Sequence, residues 1–419
     1  MAPWRAFTAL SPVALAAAAL VLALPRCAKR SSQTSTDAPG ASPASPAASA
    51  AASSAATVVP AAAASDAAWA PKSIPKLDMH THIDPEVAVQ ARGFLEHYGI
   101  GRAINLSGGT PGQGLEETLS AGRATGGFYV TFVNVDFEGI GTPGWAAREV
   151  KQLERAKTMG VRGVKIAKNL GLGVHFPDGR RVAVDDPVLD PLFAAMARLQ
   201  LPLAIHTGDP KAFFDPPGPK NERMDELASH PMWSFADRSR FPTWEGIYGE
   251  FARRVKRSSA TTIIGVHFGN DPEEPQRVGK MLDDCPNLYV DTAARVPEIG
   301  RKPDETRRAI LAHADRVLFG TDVQLGIGMM VLGAGEARGH TRADVDHFFL
   351  SSWEFFETAH RGFAHPTPIQ GRWTIDGIDL PADVLEKIYH ANAERLLGLP
   401  PTPLLPSSGA PESSAGSPR

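Results

Sequence analysis

Short apolar runs alternate with amphipathic stretches through most of the chain. Runs rich in Val, Ile, Leu or Phe cover residues 76–82, 102–107, 128–134, 163–168, 202–206, 262–267, 287–292 and 316–321. Their apolar residues are largely contiguous, which suits strands buried on both faces. Between them, apolar positions recur at helical spacing over 86–98, 145–159, 188–199, 244–255, 303–313 and 343–358, and a further helix at 382–397 closes the unit. Strand–helix alternation predicts a parallel sheet. Eight strand candidates predict a single closed (β/α)8 TIM-type barrel over an open doubly wound sheet. No Gly-rich phosphate loop follows the first strand, which argues against nucleotide binding. Two connections are long, 208–242 and 322–341. Both follow strand C-termini, the barrel end that carries active sites, and are read as walls of a substrate pocket. The aromatic stripe at 348–356, with Trp353 and Phe355, is most simply core.

The flanks have a different character. Arg5 precedes an Ala/Leu-rich run at 13–24, shorter than the roughly 20 residues that cross a bilayer. A basic start, a short apolar stretch and a polar follow-on predict a secretory signal within residues 1–30. Cys27 sits where a bacterial lipoprotein signal, which this region resembles, would be acylated. Leu24, Pro25 and Arg26 precede it where small residues are expected, so a plain cleaved signal fits as well. Residues 31–70 are mostly Ala, Ser, Pro and Thr and predict a disordered linker, and 400–419 a disordered tail. The folded unit is thus expected over 71–399. The protein is expected to be exported, periplasmic or a membrane-anchored lipoprotein, touching a membrane only through an N-terminal lipid.

Composition narrows the function. Hydrophobic residues at 43% and charged residues at 21% provide for a sizeable core. Lys+Arg 43 against Asp+Glu 46 removes the electrostatic argument for a nucleic-acid partner. The basic run at 253–257 lies at a helix end, where cations complement the dipole, and reads as a solvated face. Two cysteines exclude a disulfide framework and a Cys-rich zinc site.

The chemistry sits at the strand ends. The first strand carries Asp78-Met79-His80-Thr81-His82. Side chains two apart on a strand project to one side, so His80 and His82 can offer imidazole nitrogens to one cation. The pair alone is weak, because two polar residues leaving a strand look the same. The fifth strand ends at His206, the sixth at His267, and the eighth at Thr321-Asp322. Singly, each histidine reads better as a satisfied core residue, and Asp322 also reads as a helix N-cap. Gathered at one barrel mouth, the set predicts a metal site.

This constellation resembles the amidohydrolase superfamily, and within it the amidohydrolase-related branch of aminocarboxymuconate semialdehyde decarboxylase-like enzymes and related lactone hydrolases. Gly163-Val164-Lys165-Ile166, Asn287-Leu288-Tyr289-Val290-Asp291 and Ile388-Tyr389-His390-Ala391-Asn392-Ala393, with Arg395 and Leu396, extend the resemblance over nearly all of the folded unit. It implies that His80, His82, His206 and Asp322 bind one divalent metal, zinc first. It implies that Asp322 also accepts a proton from the activated water and that His267 is a second acid/base. Asp78 would orient the metal-binding turn from behind. In some branches a strand-four lysine is carbamylated and bridges two metals, so a second metal on Lys165 is the lesser alternative. The plainer reading of Lys165 is an inward cation that binds a substrate carboxylate or pairs with an acid such as Asp291. Arg295 is the first candidate for a carboxylate contact, a solvated arginine being close behind, and Lys168 is another. Asn169, His175, the loop at 213–223, Trp233, Phe235 and Trp244 could also face the mouth. For any one aromatic, packing of the long loop is the better reading.

The leading expectation is a metal-dependent hydrolase acting on a small amide, lactone or ester through metal-activated water. The alternative is a non-oxidative decarboxylase of a carboxylated aromatic or semialdehyde. A tethered binding protein with a degenerate barrel site is a third reading, and it predicts missing ligands where this chain has all of them filled. A small-molecule substrate is the expected partner, and a homo-oligomer is compatible with the sequence.

Overall fold

The structure, a computed structural model, describes residues 69–208, 210–333 and 340–405. The expected signal, Cys27 and the linker up to residue 68 lie outside the described residues. Eight strands pair in parallel in chain order: β1 (Lys76–Ile83), β2 (Ile100–Asn105), β3 (Tyr129–Asn134), β4 (Gly163–Ile166), β5 (Leu203–Ile205), β6 (Ile263–Gly265), β7 (Leu288–Asp291) and β8 (Val317–Leu318). The last meets the first. Met79 N donates to Phe319 O at 2.8 Å, and Asp322 N donates to His80 O at 2.8 Å. The result is a TIM-barrel-like fold, a curled parallel sheet with helices in its connections.

Apolar side chains from β1, β2, β3, β5, β6 and β8 meet in one core: Leu77 and Met79, Ile104, Phe132, Ala204, Ile264 and Leu318. Ala393 and Leu397 of the last helix join it. Gly163 on β4 is required here, because a Cβ at that position would lie 2.4 Å from the Phe132 ring. Outside the strands, Phe319 meets Phe356 and Tyr389 edge to face and Trp353 at a tilt, and these rings bury the helix Arg342–Glu357 against β8. The stripe read as core from the sequence is core.

Two helices lie where the apolar pattern showed none. Leu115–Ala124 buries Leu115, Thr118 and Gly122, so its inner face is too polar and too small to register as an apolar stripe. Pro275–Asp284 is short, and its period rests on Val278, Met281 and Leu282. The connection 322–341 is not simply a loop. It opens with β9 (Val323–Gly326), parallel to β1, and β10 (Met329–Val331), which turns back on β9. The connection 208–242 holds helical turns at Lys211–Phe214, Met224–Ser229 and Pro231–Trp233. The chain also stays packed past residue 400: Arg102 Nη1 donates to Pro400 O at 2.5 Å and Thr402 N to Glu394 Oε1 at 2.6 Å. No helix among the described residues is long and apolar enough to cross a membrane.

His365, in the segment after the helix Arg342–Glu357, offers a test of the packing. It is 2% exposed; its Nε2 donates to Gly371 O at 3.0 Å, and its Nδ1 accepts from Thr367 N at 3.3 Å. Those two bonds require the neutral ring, because a proton on Nδ1 would face an N–H. Burial, with help from nearby Arg223, lowers its pKa from 6.5 to about 4. A depressed folded-state pKa means that its share of stability is full above pH 6.5 and is lost as pH falls towards 4. Thermal melts of His365→Gln, which keeps a donor for Gly371 O, should lose ~3 kcal/mol less across that window than the parent. Identical acid limbs would remove His365 as the cause.

Candidate metal centre

The centre is built from the ends of four strands. On β1, the register against β2 slips between Asp78 and Thr81, so strict alternation fails just where the histidines lie. Hydrogen bonds restore the alignment. Asp78 is fully buried; its Oδ1 accepts from His80 N (3.0 Å) and Thr321 N (3.1 Å), and its Oδ2 accepts from Thr321 Oγ1 (2.5 Å). Burial raises its pKa to about 7, against the pull of those same bonds. Asp78 thus ties the turn after β8 to the turn on β1.

Each ring is fixed by its far nitrogen. His80 Nδ1 lies 2.9 Å from Asp291 Oδ2, and His82 Nδ1 lies 2.7 Å from Ser107 Oγ. Both Nε2 atoms then face Asp322 Oδ1, at 3.4 Å from His80 and 3.3 Å from His82. Asp322 reaches them because the chain bends after β8 into a left-handed residue, φ 63° at Asp322. Gly320 eases the close approach of this turn to β1, since a Cβ there would stand 3.0 Å from the His80 Cβ. His80, His82 and Asp322 place one donor atom each within 4.8 Å of the others. Burial works to raise the Asp322 pKa, yet His80, His82 and Lys165 hold it well below the usual carboxylate range. Burial, followed by Lys165, lowers that of His80. Two imidazoles and a carboxylate, with their donor atoms converging, fit a borderline divalent cation.

The remaining predicted residues surround this trio. His267 follows β6 with φ 55°, its N donating to Asp291 Oδ1 at 2.8 Å and its Nδ1 lying 2.8 Å from Ala293 O. Its ring is 5.0 Å from that of His80 and 4.3 Å from that of His206. Burial, then His206 and Arg295, push its pKa well below 6.5. His206 thus stands beside His267 at the end of β5. Lys165 on β4 is buried, with Nζ 3.4 Å from His80 Nε2. Burial brings its pKa down to about 8, while Asp291 and Asp322 act the other way. Arg295 is buried behind β7, and its guanidinium also bonds Ala294 O at 2.8 Å. Lys168 lies farther along the mouth, its Nζ over the Trp233 ring at 4.5 Å.

Three contributors were not legible as such. Asp291 was read as a partner for Lys165, whose charge it does offset; the structure also sets it against His80. Ser107 orients His82. Asn270 grips the backbone on both sides of His206: its Oδ1 accepts from Thr207 N at 2.9 Å and its Nδ2 donates to Ile205 O at 3.3 Å. No sequence pattern marks these roles, because each depends on a neighbour from another strand.

A TIM-barrel-like fold with a largely buried His/His/Asp cluster at its strand ends defines a candidate metal-dependent barrel enzyme. The Amidohydrolase family (Amidohydro_2) matches residues 137–399. The chain belongs to that family, in its aminocarboxymuconate semialdehyde decarboxylase-like branch. The match begins after β3, so the His80–His82 pair precedes it. Solved structures of similar fold include a 2,6-dihydroxybenzoate decarboxylase complexed with 2,6-dihydroxybenzoate, at 15% identity over 78% of this chain and 100% of that one, TM-score 0.46. A dihydroxybenzoic acid decarboxylase from Polaromonas sp. JS666, with bound manganese and the inhibitor 2-nitroresorcinol, shares 14% identity over 78% and 97%, TM-score 0.45. An uncharacterised TIM-barrel protein from Bordetella bronchiseptica shares 17% over 78% and 99%, TM-score 0.46. No curated protein matches the chain.

Asp291→Asn tests the centre. It keeps the shape but removes the charge behind His80, and it should weaken metal binding by about 10- to 100-fold. Competition with a chromophoric chelator measures this, with circular dichroism to show that the fold is kept. Unchanged affinity would separate Asp291 from the centre.

Proposed function

We propose that this protein is a metal-dependent decarboxylase of small carboxylated aromatic or unsaturated acids, a carbon–carbon lyase. The observation that carries the reading is the pair of buried cations at the His/Asp cluster, Lys165 at 4% and Arg295 at 2% exposure. Asp291 and Asp322 offset Lys165, and a divalent cation would add further positive charge to the site. A substrate carboxylate would complement that excess, whereas a neutral amide, lactone or ester would not. The branch holds both decarboxylases and lactone hydrolases, and the charge balance favours the former.

His80, His82 and Asp322 would hold the divalent cation, with His206 close by; zinc suits the donor set. When bound, the cation supplies Lewis acidity towards substrate oxygens. The protein's own groups do the rest. Lys165 and Arg295 offset substrate charge and orient the acid. As the bond between the carboxyl carbon and the substrate carbon breaks, carbon dioxide leaves and the electron pair stays on the substrate carbon, which then takes one proton. His267 at Nε2 and Asp322 at its carboxyl oxygens are the groups placed to relay that proton from solvent water. Asp78 and Asp291 keep those carriers in place.

Hydrolysis is the second reading. It draws support from Asp322, whose carboxylate lies 3.3–3.4 Å from two imidazole nitrogens, where it could accept a proton from water. The grouping of three donor atoms speaks against a degenerate binding barrel. Export, through the apolar run at 13–24, is proposed alongside.

Purified protein should carry about one divalent metal per chain by mass spectrometry and release carbon dioxide from hydroxybenzoates or related acids. Asp322→Ala and His82→Ala should lower turnover by at least ~10³-fold and reduce bound metal. Opening of lactones without carbon dioxide release would favour the second reading. Full metal and full turnover in both variants would overturn the site.

A further inference from the structure

The two imidazoles of the centre are backed by different groups. His80 has a carboxylate behind it, Asp291 Oδ2 at 2.9 Å from Nδ1, and its side chain is 1% exposed. His82 has a neutral hydroxyl, Ser107 Oγ at 2.7 Å from Nδ1, and its side chain is 24% exposed. We propose that Ser107 is a positioning residue that makes His82 the weaker, exchangeable ligand of the centre, the one that lets go first when the ion leaves. The proposal rests on the metal-centre reading and not on the reaction carried out there, and it adds how the site is loaded and emptied.

Three observations carry it. The first is the chemistry of the backing groups. For Nε2 to offer a lone pair, Nδ1 must carry the ring proton and donate it. A carboxylate acceptor strengthens the imidazole as a donor to a cation, and a neutral hydroxyl does so much less. Asp322 Oδ1 lies at nearly the same distance from both Nε2 atoms, 3.4 Å for His80 and 3.3 Å for His82. The fronts of the two rings are therefore alike, and their backs set them apart.

The second is the mounting of the hydroxyl. Ser107 is exposed, yet its backbone is held. Asn105, the buried last residue of β2, accepts at Oδ1 from Ser107 N (3.0 Å) and Ile83 N (3.1 Å), and its Nδ2 donates to Ile83 O (2.8 Å). Asn134 Nδ2 donates to Leu106 O at 3.0 Å. One amide thus ties the residue after His82 to Ser107 and sets the spacing between ring and hydroxyl. The third is that the His82 backbone is itself fixed, paired with Gln324 of β9. Release of His82 then needs a turn of its ring and the loss of the Ser107 bond. Release of His80 would break a charged contact inside a closed core.

Competition with a chromophoric chelator measures zinc affinity of the full chain, and stopped-flow transfer to excess chelator measures zinc loss. Ser107→Ala should weaken zinc by about threefold to tenfold and speed its loss by a similar factor, and Ser107→Thr should restore both. Ser107→Asp should tighten zinc by about tenfold and slow its loss, a gain that a merely structural role would not produce. A new carboxylate can also act on the ion directly, so the substitution is repeated in His82→Ala, where it should change affinity by less than about twofold. His82→Ala should keep measurable, faster-exchanging zinc, and His80→Ala should keep none. Parent-like affinity and loss rate in Ser107→Ala, a full Ser107→Asp gain without His82, or stronger zinc binding in His80→Ala than in His82→Ala would overturn the proposal. A parent chain that takes up no zinc, with circular dichroism showing it folded, would instead overturn the centre itself.

Discussion

The Asp291 carboxylate holds the site together. One oxygen meets His80 Nδ1 at 2.9 Å, and the other accepts the backbone N–H groups of His267 at 2.8 Å and Ala293 at 3.2 Å. A single side chain on β7 thereby fixes the ring of a residue on β1 and the backbone turn after β6. With its Nδ1 bound to a carboxylate, His80 directs Nε2 towards the cluster, the arrangement that suits a metal ligand. Removal of Asp291 would leave the ring of His80 and the turn at His267 without a common reference.

Backbone strain gathers at the same place. His267, Phe268, Ala294 and Asp322 all adopt left-handed φ values, between 54° and 63°. Such conformations cost of order 1 kcal/mol or more for residues with a Cβ and persist only where surroundings enforce them. Here the enforcing contacts are the bonds from Asp291, the Asp78–Thr321 pair and the close approach of Gly320 to His80. The strands end, the chain turns sharply, and functional side chains point into the mouth instead of continuing along the sheet.

Charge at the centre is balanced between buried acids and buried bases. Asp291 and Asp322 lie beside His80 and offset Lys165. A divalent cation would add to the positive side, and the proposed reaction on carboxylates draws on that excess.

The sequence by itself determined the eight strands, the order in which they pair, and the residues at their ends. Those features rest on local periodicity and on chemistry that few residue types supply, so Asp78, His80, His82, His206, His267 and Asp322 were legible one strand at a time. The helices Leu115–Ala124 and Pro275–Asp284 escaped because their buried faces use small or few apolar groups. Only the tertiary structure decided which donors converge, that His206 stands beside His267, and that Asp291 serves His80. The two partners in that last contact are 211 residues apart. A hydrogen bond of that kind is set by strand pairing and the bend of each turn, and no spacing along the chain encodes it.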